Sequence, residues 1–288
     1  MIESPGPVIV DIGNLLNINF DFQLRWYGLL IGLGFLISLL IIYLLIKSKT
    51  NENQRQNMLD LLFWVFLGGI LGARAWFVIL RFDYFIQNPS EILAIWHGGQ
   101  SIQGGFIGGL VAGLIFYYLN NADEKPNEFL NRYEVCDLIA LVLPIAQAIG
   151  RFGNFFNIEA FGKPTNLPWG IFVPASKRPI EHLGNATFHP VFFYEAFYLL
   201  IVAVFLFWLY SKKKDLVFSV LSHNIKINDG TILCSYLILY SFGRIIFEFM
   251  RTDSLMIGPF AAAHVISFIT IACASFFIIK LQKKKQET

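Results

Sequence analysis

"VCDLIALVLPIAQAI", residues 135–149, runs without a break into "GRFGNFFNIEAFG", residues 150–162. The first stretch is apolar enough to sit in a bilayer. The second immediately sets an arginine, two asparagines and a glutamate among aromatic residues. A plain connection between two spans needs none of these groups. The junction therefore asks whether the chain crosses a membrane repeatedly, and whether the polar residues ending this crossing form a site.

Composition answers the first question. Of 288 residues, 56% are hydrophobic and only 15% charged, and the mean hydropathy is +0.58. That is too apolar for an ordinary soluble domain, and the apolar residues gather into runs of bilayer-spanning length. The formal net charge of +2 decides little, because in membrane proteins the placement of Lys and Arg carries the information. No nucleic-acid partner is expected. Cys136, Cys234 and Cys273 all lie in apolar runs without CxxC spacing. They read as buried small hydrophobes rather than a disulfide framework or zinc site, so no metal is expected. The opening "MIESPGPVIVDIGNLLNINFDFQ" lacks the basic start and short apolar core of a signal peptide and reads as part of the mature protein.

The fold expected is an all-α integral membrane protein, residues 1–288 forming a single polytopic membrane domain. Seven spans are drawn at about 25–46, 58–80, 101–119, 134–150, 190–210, 231–250 and 261–280, each near the length a bilayer core requires. One set of loops and the tail hold Lys47, Lys49, Arg55, Lys125, Arg132, Lys212, Lys213, Lys214, Lys226, Lys280, Lys283, Lys284 and Lys285. The opposite set holds Arg81, Arg151, Lys163, Lys177, Arg178 and Arg251. The richer set is expected to be cytoplasmic, which puts the N-terminus outside and the C-terminus inside. Residues 151–189 then form an extracytoplasmic segment whose Pro, Gly and Trp and lack of helical periodicity suggest a small folded loop domain.

Polar residues within spans are the informative ones, since a charge near a helix centre costs about 2.5–3.5 kcal/mol on insertion scales. In "ILCSYLILYSFGRIIFEFMRTD", Tyr240, Arg244 and Glu248 are spaced by four and share one helix face. Arg244 and Glu248 either neutralise each other within the bundle or belong to a polar stripe that leaves Arg244 free for an anion. Arg74 in "GGILGARAWF" is a site candidate by default or a residue packed at a helix end. The glycine pairs at 104–105 and 108–109, after His97, read most simply as helix-packing contacts. Their spacing is neither a Walker nor a Rossmann pattern. The outer halves of the spans together supply Tyr27, His97, Arg151, Glu159, Glu195, Tyr240, Arg244 and Glu248. Their similar depth implies a polar chamber that opens outward and is bounded by lipid.

The stretch Gly150-Arg151-x-Gly153-Asn154-Phe155-x-Asn157-x-Glu159-x-x-Gly162 resembles, at every fixed position, the signature of the prolipoprotein diacylglyceryl transferases. "RWYG" in the first span, "GGQSIQGGFIGG" in the third, "FHP" with "YEA" at the fifth and "GRIIFEFMRTD" in the sixth extend the resemblance along nearly the whole chain. The resemblance implies transfer of the diacylglyceryl group of phosphatidylglycerol to the lipobox cysteine thiol of a preprolipoprotein. A thioether forms and glycerol-1-phosphate leaves, without a cofactor, in the bacterial cytoplasmic (inner) membrane. By the same resemblance Arg151 binds the lipid head group and Arg244 acts close by on the same phosphate. Asn154, Asn157 and Glu159 hold the loop in shape, Glu248 orients Arg244, and Tyr27, Gln103, Gly162, Glu195 and Tyr240 line the substrate site. Relatives carry a histidine where this chain has Gln103, which cannot act as a base. His97, Glu159, Glu195 and His189 are the candidates for that role. His264 stands where relatives often carry a glutamine and is given no role.

Three other classes compete. A transporter with an arginine-lined path would normally show a repeated half-structure, and none is visible. An intramembrane protease would need a Ser/His or Asp/Asp pair at membrane depth, and the spans hold no GxSxG and no paired aspartates. A purely structural bundle leaves the matched signature without a reason.

Overall fold

The computed structural model describes residues 2–12, 15, 23–121, 130–212, 217–220, 223–252 and 254–283. Of the cations that set the expected orientation, Lys125, Lys213, Lys214, Lys284 and Lys285 lie outside the described residues, as do the side chains of Lys226 and Lys283; so does the side chain of the candidate base His97. Among the described residues, seven helices are long and apolar enough to cross a membrane. They are α1 (Trp26–Ile46), α2 (Glu52–Leu80), α3 (Ile102–Asn121), α4 (Arg132–Asn157), α5 (Val191–Ser211), α6 (Thr231–Glu248) and α7 (Ala262–Lys283). The sheets among the described residues are four antiparallel two-stranded pairs: β1 (Val8–Asp11) with β2 (Gln23–Arg25), β3 (Ile171–Phe172) with β4 (Thr187–Phe188), β5 (Val217–Val220) with β6 (His223–Lys226), and β7 (Met256–Ile257) with β8 (Phe260–Ala261). The expected all-α membrane fold is therefore observed.

Two helices run more than a full turn past the spans drawn from hydropathy, each for a local reason. α2 starts at Glu52 rather than 58 because Asn51 builds a capping box: its side chain accepts from Gln54 N–H at 2.8 Å, and the Gln54 side chain accepts from Asn51 N–H at 3.4 Å. Caps, not hydropathy, decide where a helix begins. α4 continues past residue 150 to Asn157, so most of the quoted motif is helix rather than loop. A glycine inside a helix costs only about 1 kcal/mol, and the neighbours described below recover it.

The chain divides into two compact units. One comprises Val8–Arg25 and Phe35–Asn131. Within it α2 and α3 meet backbone to backbone: a Cβ on Gly72 would stand 2.4 Å from Gly104 O, and one on Gly108 would stand 2.3 Å from Gly68 O. Small residues permit this approach, so the glycines read as packing contacts are packing contacts. Arg74, 7% exposed, is consumed by backbone. It donates to Ile92 O at 2.9 Å, Gly98 O at 2.7 Å, Gly99 O at 2.9 Å and Glu91 O. Both Gly98 and Gly99 take positive φ, +87° and +73°, the conformation glycine allows without a Cβ penalty. Arg74 thus clamps the loop that carries His97, and its guanidinium is not open to an anion.

The other unit comprises Met1–Pro7, Trp26–Gly34 and Arg132–Thr288. Fully buried Asp137 on α4 accepts from Gly230 N–H at 2.9 Å and Leu233 N–H at 3.0 Å, capping α6 from a neighbouring helix. Gly230 takes φ +91° and offers no side-chain cap of its own, so Asp137 supplies the acceptor that the helix start needs. Residues 158–190 pack against the ends of α4 and α5, with Phe155 and Phe193 lying on their buried cluster. Phe161, Ile171, Val173, Phe188 and Phe192 form that cluster. The β3–β4 pair is extended by Ile2, whose N–H donates to Gly170 O at 3.3 Å and whose carbonyl accepts from Phe172 N–H at 2.9 Å.

Candidate functional site

α4 ends inside the motif, and its ending shapes the site. Ile158 N–H donates to Phe155 O at 3.2 Å and Glu159 N–H to Asn154 O at 3.1 Å, the paired bonds of a Schellman cap. The residue in the left-handed position is not glycine but Ile158, at φ +51°, and Ala160 follows at φ +57°. Each costs about 1–2 kcal/mol for a residue with a Cβ, and Ile158 offsets part of this by packing against the Phe161–Phe188 cluster. The turn brings the Glu159 carboxylate back over the helix end. There one oxygen accepts from Asn154 Nδ2 at 2.9 Å and Asn157 Nδ2 at 3.1 Å. Lys177 Nζ donates to the Asn157 carbonyl.

The motif glycines have steric reasons. A Cβ on Gly153 would stand 2.4 Å from the Tyr27 ring, which packs against that turn of α4. A Cβ on Gly162 would stand 2.5 Å from Val191 Cγ2 and 2.8 Å from Met250 O. Gly162 N–H donates to His189 O at 2.8 Å and Lys163 N–H to Met250 O at 2.9 Å. The segment after the motif is thereby stitched to the start of α5 and the end of α6.

Three helices converge on one carboxylate. Glu195 on α5 meets Arg151 of α4, Oε2 to Nη2 at 2.6 Å, and Arg244 of α6, Oε1 to Nη1 at 3.2 Å. Arg244 also donates to Glu248 Oε2 at 2.8 Å. Both carboxylates are 4% exposed, whereas Arg151 and Arg244 are 20% and 21% exposed. Two cations and two anions leave the cluster with no formal net charge, which is how charges persist in a low-dielectric interior. The two readings left open for Arg244 and Glu248 resolve into a pair that belongs to a larger cluster. Glu195 Oε2 lies close to Arg151 yet receives no aligned hydrogen bond. Tyr240, one turn before Arg244, packs on Ala148, Ala196 and Leu199.

The prolipoprotein diacylglyceryl transferase family model matches residues 14–280. The chain belongs to that family. Its relatives include the phosphatidylglycerol–prolipoprotein diacylglyceryl transferase of Nostoc sp., 40% identical over 273 residues, covering 94% of this chain and 88% of that protein. Those of Fervidobacterium nodosum and Thermotoga maritima are 40% and 41% identical over 252 residues, each covering 87% of this chain and 78% of the relative. This transferase family member is a multi-pass membrane protein.

The site residues expected from sequence fall into two groups. Tyr27, Arg151, Asn154, Asn157, Glu159, Gly162, Glu195, Tyr240, Arg244 and Glu248 all belong to the unit containing α4–α7. His97 and Gln103 belong to the unit containing α2 and α3. His97 ends a 3-10 turn at Ile95–His97, and Gln103 opens α3, where its Oε1 accepts from Ser101 Oγ at 2.7 Å. His189 shares a contact of 3.2 Å with the Tyr194 hydroxyl, which also accepts from Trp169 Nε1 at 2.8 Å. His264 lies 3.2 Å from Ile245 O and tilts over Phe249. A cavity of about 510 Å³ lies beyond the helix end, between Asn157–Phe161, Ser176–Pro179 and Thr252. Sequence reading missed two polar residues in this transferase: Asp137, an acid inside an apolar run, and Gln147, four residues before Arg151.

Proposed function

We propose that the chain transfers the diacylglyceryl group of phosphatidylglycerol to the lipobox cysteine thiol of preprolipoproteins, the first step of lipoprotein maturation. The observation that carries this reading is the meeting of Arg151 and Arg244 at Glu195, beside a strained helix end. Paired guanidinium groups, each still partly exposed, suit a phosphate that gathers charge as it leaves. Asn154 and Asn157 hold Glu159, and with it the turn that follows Arg151.

In the proposed reaction the cysteine sulfur attacks the glyceryl carbon bonded to the phosphate oxygen. That C–O bond breaks, the thioether forms, and the bonding electrons leave with glycerol-1-phosphate. The nucleophile is the thiolate, so the thiol proton has to be taken up. Of the candidates for that role, Glu195 is the one in contact with both arginines, and we assign the proton to it. The proton then passes to the departing phosphate monoester, which balances the charge. The distribution of Lys and Arg supports an extracytoplasmic site in the bacterial inner membrane, with the N-terminus outside.

The test is transfer of labelled diacylglycerol from phosphatidylglycerol to a lipobox peptide by purified protein. Transfer is expected with wild type, lost with Arg151→Ala, and lost with a peptide carrying serine for cysteine. Folded wild-type protein that transfers nothing would overturn the reading. Glu195→Gln is expected to cost far more than His97→Gln, and the reverse order would move the proton to His97.

A further inference from the structure

Gln147 stands four residues before Arg151 on α4, so the two side chains share a face about 6 Å apart along the helix axis. Because α4 ends at Asn157, Gln147 is the nearer of the two to the middle of the span. Its Oε1 is fully buried and has no hydrogen-bond partner. The Tyr236 hydroxyl lies against the same amide. Tyr236 is 5% exposed and lies near the Tyr240 ring, with centroids 5.8 Å apart. A polar ladder of Gln147, Tyr236 and Tyr240 thus continues inward from the arginine cluster, through helices that otherwise bury alanine and leucine there.

An amide left half-used in an apolar interior is costly, so its unmet end marks where a ligand group belongs. Rotating the amide exchanges its nearly isosteric oxygen and nitrogen. Oε1 then accepts from the Tyr236 hydroxyl, and the NH2 group becomes a donor at the unmet end. The required partner is an acceptor about one helical turn inward from a phosphate held by Arg151. In a glycerophospholipid the groups next to the phosphate on the acyl side are ester carbonyls, which accept and cannot donate.

We propose that Gln147, oriented by Tyr236, binds an ester carbonyl of the diacylglyceryl group being transferred, and so selects diacyl over dialkyl-ether lipids. The inference rests on the functional reading above. It assigns Gln147 a substrate contact and leaves the chemistry to the arginine cluster.

The experiment compares dioleoyl phosphatidylglycerol with its dioleyl diether analogue, which keeps the head group and chain length but lacks both carbonyls. Transfer to a lipobox peptide is measured for wild type, Gln147→Leu, Gln147→Met and Tyr236→Phe. Melting temperatures in detergent monitor folding. Wild type is expected to prefer the ester by about tenfold in KM, the size of one hydrogen bond, with kcat little changed. Both Gln147 variants lose the preference, and Tyr236→Phe reduces it. A wild type that uses both lipids equally overturns the inference whatever the variants do. So does a folded Gln147 variant that still prefers the ester. Wild type inactive on either lipid overturns the functional reading itself, a different outcome from active but indifferent enzyme.

Discussion

Arg151 and Arg244 do not act as isolated charges. Each is held by a carboxylate that also serves the cluster, so geometry matters as much as sign. Arg151→Lys or Arg244→Lys keeps the charge but loses the planar fork. Either is expected to lower kcat/KM at least tenfold in the lipid-transfer assay while the protein stays folded. Glu195→Gln removes the carboxylate that meets both arginines. It is expected to destabilise by about 3 kcal/mol, the low end for a broken buried pair because both arginines keep some exposure to water. A melting temperature unchanged from wild type would refute this. The spacing of Tyr240, Arg244 and Glu248 was legible in the sequence because one helix sets it. The link from Glu195 to Arg151 and Arg244 was not, since partners on three helices are fixed by packing rather than by spacing. Arg74 was legible as an intramembrane charge, but not as a loop clamp, because its partners are backbone carbonyls, which every residue carries alike.

Helix centres were readable from hydropathy, and helix ends were not. α2 began early because Asn51 and Gln54 cap it, and α4 ran through the motif because Tyr27 packs on Gly153 and a Schellman turn waited at Ile158. α6 shows the same dependence on a distant side chain, since its cap is Asp137 of α4. Asp137→Ala is expected to cost about 1–2 kcal/mol of stability, and Asp137→Asn less, because the amide oxygen still accepts. Hydrogen exchange at Gly230 and Leu233 is the direct measure, and protection that survives the alanine change would refute the capping role. Gly153→Ala pushes a methyl into the Tyr27 ring. It is expected to destabilise by about 1–3 kcal/mol, seen as a lowered melting temperature, and Tyr27→Ala in the same chain should recover part of the loss.

On the proposed reaction the whole molecule supplies the site and the client supplies the nucleophile. Cys136, Cys234 and Cys273 are free, and the first two sit within the helical bundle. On the proposed reaction the only sulfur that matters is the client's. A variant with all three cysteines changed to alanine should therefore retain transfer within about threefold, given the modest cost of such small truncations. Loss of transfer by that variant in folded form would point to an enzyme-linked intermediate instead.

The neutral arginine–glutamate cluster behaves like an ion-exchange bead whose resident counter-ion never leaves the resin. On the proposed reaction an incoming phosphate has to displace Glu195 from the guanidinium groups rather than fill empty positive charge, so what binds best is what outcompetes a carboxylate. The lipid diester carries one negative charge, while free glycerol-1-phosphate, once equilibrated with water, carries nearly two above its second pKa of about 6. Glycerol-1-phosphate should thus be the stronger exchanger, and product inhibition should sharpen between pH 5.5 and pH 8. Turnover would then be governed by how quickly the bead is regenerated.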